Sequence, residues 1–270
     1  MASAMSNVMA VFVLVPIVAP SVGAAIIAVA PWRTVFWLCV FFAFVIVLWS
    51  LRLRETLDPS NRRALRPATI ARGYLQVAST RVTFGYTIAT VFIQASFTTY
   101  LASSEILTAQ VFDREAQFPI IFGVVALLFG IAALINGRIV ERLGIDEVVN
   151  RGFIVLAILL TLLVLVTFSA DGTPNFWLFM PIVGLTLSSY MFLMPNLNSA
   201  AMEPLGAIAG SGSALTGAVR VAGGAVLGGF FSEQVATSAT PLTVGLASMT
   251  ALSGLSVWLV RRGGIRQLLA

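Results

Sequence analysis

Long apolar segments recur along this chain, and short polar segments separate them. A helix that crosses a bilayer needs about 20 consecutive apolar residues, and these segments have that length. We predict eight transmembrane helices, placed near residues 5–27, 33–53, 82–107, 117–140, 148–169, 175–198, 207–231 and 241–260. The predicted fold class is therefore all-α, in the form of a polytopic membrane protein.

The charged residues between these segments predict an orientation. All 16 basic residues are arginines, and if the spans alternate in direction, 13 of them fall on one side. Positively charged loops face the cytoplasm, so we predict a multi-pass protein of the cell (plasma) membrane with both termini cytoplasmic. Arg33 and Arg114 fall outside, and Arg220 falls within a span. The predicted cytoplasmic arginines are Arg52, Arg54, Arg62, Arg63, Arg66, Arg72, Arg81, Arg138, Arg142, Arg151, Arg261, Arg262 and Arg266.

The one long polar connection, residues 54–79, divides the spans into two and six. Its arginines and prolines could not be buried by an apolar face. We predict three parts: a two-helix part at 1–53, a cytoplasmic basic linker at 54–80 and a six-helix part at 81–270. Near the end of the connection, Ile70, Tyr74 and Val77 share one helical face. This favours a short helix over residues 69–79 on the membrane surface, and a solvated linker is the alternative.

Composition excludes several classes of function. Apolar residues make up 59% and charged residues 10% of the chain, against about 25% charged residues in soluble domains. The arginines form no stripe with interleaved aromatic residues, so nucleic acid is not a predicted partner. Without Lys or His, Schiff-base chemistry, Ser-His-Asp catalysis and histidine metal sites are excluded. We predict no enzyme activity, cofactor or metal, and read the single Cys39 as a small buried apolar side chain.

Short motifs occur in the first spans. Residues 15–24 place Pro20 and Gly23 as in the pattern g-x-x-x-G-P-x-x-G-G. Residues 32–37 read W-R-T-V-F-W, and residues 55–57 read E-T-L. In one type of membrane transporter, the fifth helix contains a motif similar to residues 15–24. The sixth helix of the same transporters begins with a motif similar to residues 32–37 and ends with one similar to residues 55–57.

A further motif lies between the fourth and fifth spans, where residues 137–144 read G-R-I-V-E-R-L-G. This is similar to the loop signature G-x-x-x-D-R-x-G-R/K, with Glu141 in place of Asp and Ile145 in place of the terminal basic residue. In their order and separation, the motifs resemble the major facilitator superfamily, and within it the bicyclomycin-resistance (Bcr/CflA) type of drug/proton antiporter.

The resemblance implies that the eight spans correspond to helices five to twelve of a twelve-helix transporter, without the first four. The expected function is secondary active transport, namely proton-coupled efflux of drugs or other small amphiphilic compounds. Its partners would be the lipid bilayer, such a substrate and protons, and the full-length protein would be a monomer. No acidic residue lies deep in a span, so we expect this incomplete chain to be inactive alone. The alternative is a membrane scaffold or sensor without transport.

Two groups of residues are candidates for conformational roles. In the first span, Pro16 and Pro20 each remove a backbone donor, and Gly23 allows close approach of a neighbouring helix. This group predicts either a pliable helix used in alternating access or a merely kinked packing helix. The second group, Gly137, Glu141, Arg142 and Gly144, would by resemblance latch one transport state, although a simple positive-inside anchor also explains Arg142.

Arg220 is the strongest candidate for a functional side chain. A charge near the middle of a span costs roughly 3 kcal/mol and is tolerated mainly beside a cavity or partner. The alternatives are snorkelling of the side chain to the membrane surface and structural pairing with a polar neighbour. Flexible, aromatic and weakly polar side chains on the third and sixth spans suit a pocket for varied lipophilic compounds, or else ordinary helix packing. These candidate substrate-binding residues are Gln94, Phe97, Thr98, Tyr190, Met194 and Asn198.

Overall fold

The computed structural model describes residue 19, residues 22–54 and residues 67–268, and all regular elements in those ranges are helical. They are α1 (22–29), α2 (Arg33–Ser50), α3 (Pro67–Ser79), α4 (Arg81–Ile106), α5 (Phe118–Leu143), α6 (Ile145–Phe168), α7 (Phe176–Met202), α8 (Ala209–Ser232) and α9 (Thr240–Leu268). A π-helical segment, Leu107–Val111, continues α4, and 3-10 turns at Glu115–Gln117 and Glu203–Ile208 precede α5 and α8. The all-α fold class is confirmed.

Six helical segments within the described ranges are long and apolar enough to cross a membrane. They are Arg33–Ser50, Glu115–Leu143, Ile145–Phe168, Phe176–Gly206, Ala209–Ser232 and Thr240–Arg262. These segments coincide with the second predicted span and the last five. The first predicted span lies largely outside the described residues, and the third corresponds to α4, which is long enough but more polar. A polytopic membrane protein is therefore confirmed, whereas the count of eight spans stays a prediction.

Helix α4 lies at the centre of the bundle, packed against α7, α8 and α9. Half of its 26 residues are buried, and seven of these are Ser or Thr. Several hydroxyls donate to the carbonyl one turn earlier, as from Thr87 to Thr83 and, at 2.6 Å, from Ser103 to Thr99. Six of the seven hydroxyls, all but that of Thr83, donate to backbone carbonyls of α4. Because these groups are paired within the helix and shielded by neighbours, a helix too polar to face lipid can occupy the core.

The contact between α4 and α8 depends on Gly228. A Cβ added there would lie 2.7 Å from the Ala95 carbonyl oxygen and 3.0 Å from the Thr99 nitrogen, and both of these atoms belong to the backbone. The Thr99 hydroxyl also lies 3.4 Å from the Gly228 carbonyl oxygen. Small residues at four-residue spacing, here Gly224 and Gly228, let two membrane helices approach closely. Gly223, Gly224 and Gly228 thus form a packing surface for α4.

Helices α5 and α6 meet at a single residue, Gly144. Its φ of 77° lies in the left-handed region that favours glycine, and its N–H donates to the Val140 carbonyl to cap α5. On the opposite side of the bundle, the Ala239 N–H donates to the Gly172 carbonyl at 2.8 Å. This bond joins the α6–α7 turn to the start of α9, so the helix ends are held together on both sides.

The helices before α4 pack less closely than the rest. No residue of α2 is buried, and Cys39 is exposed on it. The sequence-based interpretation of Cys39 as a buried side chain is therefore wrong, because α2 has no neighbour covering it within the described ranges. The predicted short helix at 69–79 is present as α3, and Val77, only 2% exposed, packs against Leu205 and Ile208 in the 3-10 turn that precedes α8.

Candidate functional site

Arg220 lies on α8 where that helix meets α4 and α7. Its Nη1 donates to Gln94 Oε1 on α4 at 3.0 Å and approaches Met194 Sδ on α7 at 3.7 Å. The structure therefore brings together three residues that the sequence predicted separately as candidates. One arginine contacts the facing side chains of two other helices, at a depth where charge is expensive.

The guanidinium of Arg220 retains unused donor capacity. Its Nε is buried and has no hydrogen-bond partner among the described residues. Both ion pairs found in the described ranges lie elsewhere, at Arg151–Glu147 and Arg261–Asp146. A buried donor left unpaired costs about 1–3 kcal/mol, and more when it is charged. Among the described residues, Arg220 is thus a cation without a countercharge, and its side chain is partly exposed.

Aromatic side chains adjoin this polar contact. Phe97, one helical turn from Gln94 on α4, meets Phe129 of α5 edge-to-face, with ring centroids 5.1 Å apart. Both phenylalanines are partly exposed, as are Gln94, Met194 and Arg220. We call these five residues the Arg220 cluster. It combines one cation, one amide, a flexible thioether and two aromatic faces, which suits an amphiphilic ligand that has a hydrogen-bond acceptor.

Three other candidates lie apart from the direct contacts of this cluster. Tyr190 is fully buried, and its hydroxyl is 2.8 Å from Thr250 Oγ1 on α9. Thr98 is directed at the α4–α8 contact, where its Cβ lies 2.7 Å from a Cβ built at Gly228. Asn198 is exposed, one turn beyond Met194 on α7. In this structure Tyr190 and Thr98 contribute to packing, and Asn198 extends the face on which Met194 lies.

Most of the described residues with a predicted conformational role are exposed. Glu141 and Arg142 are exposed and form no ion pair within the described ranges, and a Cβ at Gly137 would meet no atom within 4 Å. Gly23 has the same open surroundings. Pro16 and Pro20 lie outside the described residues. The close helix contact expected at Gly23 is therefore not formed by the described part of the chain, and Gly137 makes no such contact there either.

Carboxylates do not contribute to the Arg220 cluster. Wherever the structure describes an Asp or Glu side chain, that side chain is at least partly exposed. Glu105, near the end of α4, is among the exposed ones. A carboxylate whose proton affinity changes with conformation is usually one that moves between buried and wet surroundings. The described helices offer no such group beside Arg220.

A buried amide pair was not predicted from the sequence. Asn196 Nδ2 on α7 donates to Asn136 Oδ1 on α5 at 2.9 Å and to the Phe192 carbonyl at 2.8 Å. Both asparagines are less than 10% exposed. Asn136 could have indicated this pair from the sequence, because a polar amide inside the long apolar run of α5 needs a hydrogen-bond partner in a membrane.

Replacing Asn196 by leucine is expected to lower the free energy of unfolding by about 1–2 kcal/mol, because the Asn136 amide then loses its buried partner. The measurement is thermal unfolding of the purified chain in detergent. The double variant Asn136→Leu with Asn196→Leu should recover most of the loss. If the double variant were as unstable as the sum of the two single variants, the amide pair would not be coupled.

The helical bundle defines a polytopic membrane protein, and Arg220 is an ionisable residue within one of its spans, a feature that in membrane proteins often marks a ligand pathway. The sequence matches the Major Facilitator Superfamily over residues 1–229, so the chain belongs to that family. This is a family of membrane transporters and not of enzymes. The resemblance drawn from the motifs is confirmed.

The chain is also similar to a bicyclomycin resistance protein homolog of Haemophilus influenzae (strain ATCC 51907 / DSM 11121 / KW20 / Rd). The two sequences are 25% identical over 258 residues, which cover 94% of this chain and 64% of the relative. The chain thus spans less than two thirds of the length of that relative. No solved structure matches the chain.

Proposed function

We propose that this protein takes part in secondary active efflux of small amphiphilic compounds, and that the Arg220 cluster forms part of the substrate site. The observation that carries this proposal is the partly exposed Arg220 guanidinium, which spans α4, α7 and α8 and keeps a buried Nε without a partner in the described residues. Family membership and the drug-resistance name of the Haemophilus relative support the same proposal.

The chemistry of the cluster suggests which compounds would bind. Arg220 offers hydrogen-bond donors, so the ligand needs an acceptor such as a carbonyl, sulfonyl or carboxylate oxygen. Phe97 and Phe129 offer ring faces and edges to an apolar body. Met194 can adjust its rotamer to ligands of different shapes. We therefore propose substrates that combine an apolar body with at least one strong acceptor.

Proton coupling is the part of this function that we do not assign to the described helices. Antiport requires a carboxylate whose pKa changes with conformation, so that proton and substrate compete. The exposure of the described carboxylates supports placing this group in another part of a complete transporter. We accordingly propose that this chain binds substrate but does not export it alone, and that a complete transporter acts as a monomer.

The proposal also includes the orientation of the chain in the membrane and a role for Glu141 and Arg142 in holding one transport state. The 13 arginines on one side favour a cell-membrane protein with cytoplasmic termini. Glu141 and Arg142 would then lie at the cytoplasmic end of α5, exposed and ready to contact another helix end. The absence of neighbouring atoms around Gly137 leaves room for such a helix.

Binding and export can be tested on the same chain. The purified protein should show a higher melting temperature with acceptor-bearing amphiphiles than with hydrocarbons of matched size, since only the former can pair with Arg220. Cells that lack their own pumps and express the chain should show no uncoupler-sensitive export of the same compounds. Absence of stabilisation by every compound would favour the scaffold or sensor alternative, and uncoupler-sensitive export would show that the chain carries its own proton-coupling group.

A further inference from the structure

A groove between α6 and α9 opens at the outer surface of the bundle and is distinct from the Arg220 cluster. Its volume is about 610 Å³, within the range of sites for small ligands. Phe153 and Ala157 form one wall on α6, and Ala251 and Gly254 form the other on α9. Exposed apolar residues, such as Ile158 and Leu255, flank it on both helices. An elongated apolar chain would fit between these walls.

The end of the groove is basic. Arg261 is already neutralised, since its Nη2 lies 2.7 Å from Asp146 Oδ1 and it also bonds Asn150. Arg262 differs: its guanidinium lies over the Trp258 ring at 3.9 Å from the centroid and forms no ion pair among the described residues. The groove therefore ends in an available cation, held above an indole ring.

Neighbouring charges do not cancel that cation. The carboxylates at this end of α6 are Asp146 and Glu147, and both are paired, with Arg261 and with Arg151 at 2.6 Å. Arg81 is also close, because its Nη2 reaches the Leu259 carbonyl at 3.5 Å. The local balance is thus positive, and an anion would be attracted to the mouth of the groove.

We propose that this groove binds one anionic phospholipid, with an acyl chain between α6 and α9 and the headgroup phosphate on Arg262. The apolar walls and the terminal cation match the two ends of such a lipid. Basic pockets between membrane helices are suited to anionic headgroups, and an indole ring lies favourably at the interface. Acyl chains are already in an apolar medium, so selectivity must come from the headgroup. One arginine should give about a five-fold preference, from about 1 kcal/mol per basic residue.

The preference can be read from Trp258. Replacing Trp32, Trp37, Trp49 and Trp177 by phenylalanine leaves Trp258 as the single tryptophan, since the sequence contains five. The purified chain is then reconstituted with phospholipids brominated on the acyl chain, which quench a tryptophan that they contact. Brominated phosphatidylglycerol should quench Trp258 with about five times higher apparent affinity than brominated phosphatidylcholine. Equal quenching by both lipids would overturn the proposal.

Three variants test the headgroup contact at Arg262 and the acyl-chain groove separately. Arg262→Gln should remove the preference for phosphatidylglycerol, whereas Arg138→Gln, which removes an exposed arginine from α5, should retain it. Gly254→Leu should reduce quenching by both lipids by filling the groove. A methyl group at Gly254 meets only Phe153, at 3.5 Å, so the helices need not move apart. Equal loss in the Arg262 and Arg138 variants would indicate general charge attraction instead, and competition by inorganic phosphate would indicate a free-anion site.

Discussion

Replacing Arg220 by leucine is expected to stabilise the chain while abolishing its response to acceptor-bearing ligands. A leucine fits the apolar interior and removes a charge that lacks a countercharge in the described residues, so the free energy of unfolding should rise by about 2 kcal/mol. The same change removes the donors that would bind the substrate. Thermal unfolding of the purified chain, with and without ligand, measures both effects.

These two measurements distinguish a substrate-binding arginine from a structural one. Loss of a substrate-binding arginine raises the stability and abolishes the ligand response, whereas loss of a structural arginine lowers the stability. The matched control is Gln94→Leu, which removes the one side-chain oxygen that Arg220 contacts. This variant should be less stable than the unmodified chain, because Arg220 loses a partner, and the double variant should be as stable as Arg220→Leu. A destabilised Arg220→Leu variant that still responds to ligands would show that the arginine serves packing.

Replacing Gly228 by leucine is expected to disrupt the bundle, with a loss of about 3 kcal/mol or more. Even the first carbon of the side chain would lie 2.7 Å from the Ala95 carbonyl oxygen and 3.0 Å from the Thr99 nitrogen. These are backbone atoms of α4, so relief requires the two helices to separate. Thermal unfolding and size-exclusion profiles of the purified variant measure the effect.

The adjacent Gly229 provides the control. A Cβ there meets nothing within 4 Å, although the residue lies on the same helix and at nearly the same depth. Gly229→Leu should therefore change stability by less than about 1 kcal/mol, through helix propensity alone. If both variants were equally damaged, the cause would lie in the glycine content of α8 and not in its contact with α4.

The sequence located the apolar helices well, because the length and polarity of a lipid-facing helix are properties of that helix alone. Helix α4 is not explained by such local properties. It was predicted as a span from its length, yet it is too polar to be classed with the other six by composition. Its polarity is explained by burial against α7, α8 and α9. That burial depends on the arrangement of distant helices, and no local pattern encodes it.

The candidate site was predictable only in part, for a similar reason. Arg220 stood out because an isolated charge in a span needs an explanation, and Gln94 and Met194 were candidates because an amide and a flexible thioether suit a ligand pocket. Phe129 and Asn136, both on α5, were not predicted, since a phenylalanine or a lone amide in a span has many uses. Their importance follows from partners on other helices, Phe97 and Asn196, which only the packed bundle brings within reach.

The polarity of α4 also bears on how the protein is made. Helices are inserted into the membrane in order of synthesis, and α4 leaves the ribosome before α7, α8 and α9. A helix with half of its residues adapted to a protein interior gains little from lipid alone. Stable insertion of α4 therefore depends on partners that emerge later, and the early membrane-inserted form has to be protected until they arrive. Changes on α8 that loosen the Gly228 contact would on this basis reduce the yield of inserted protein before they affect ligand binding.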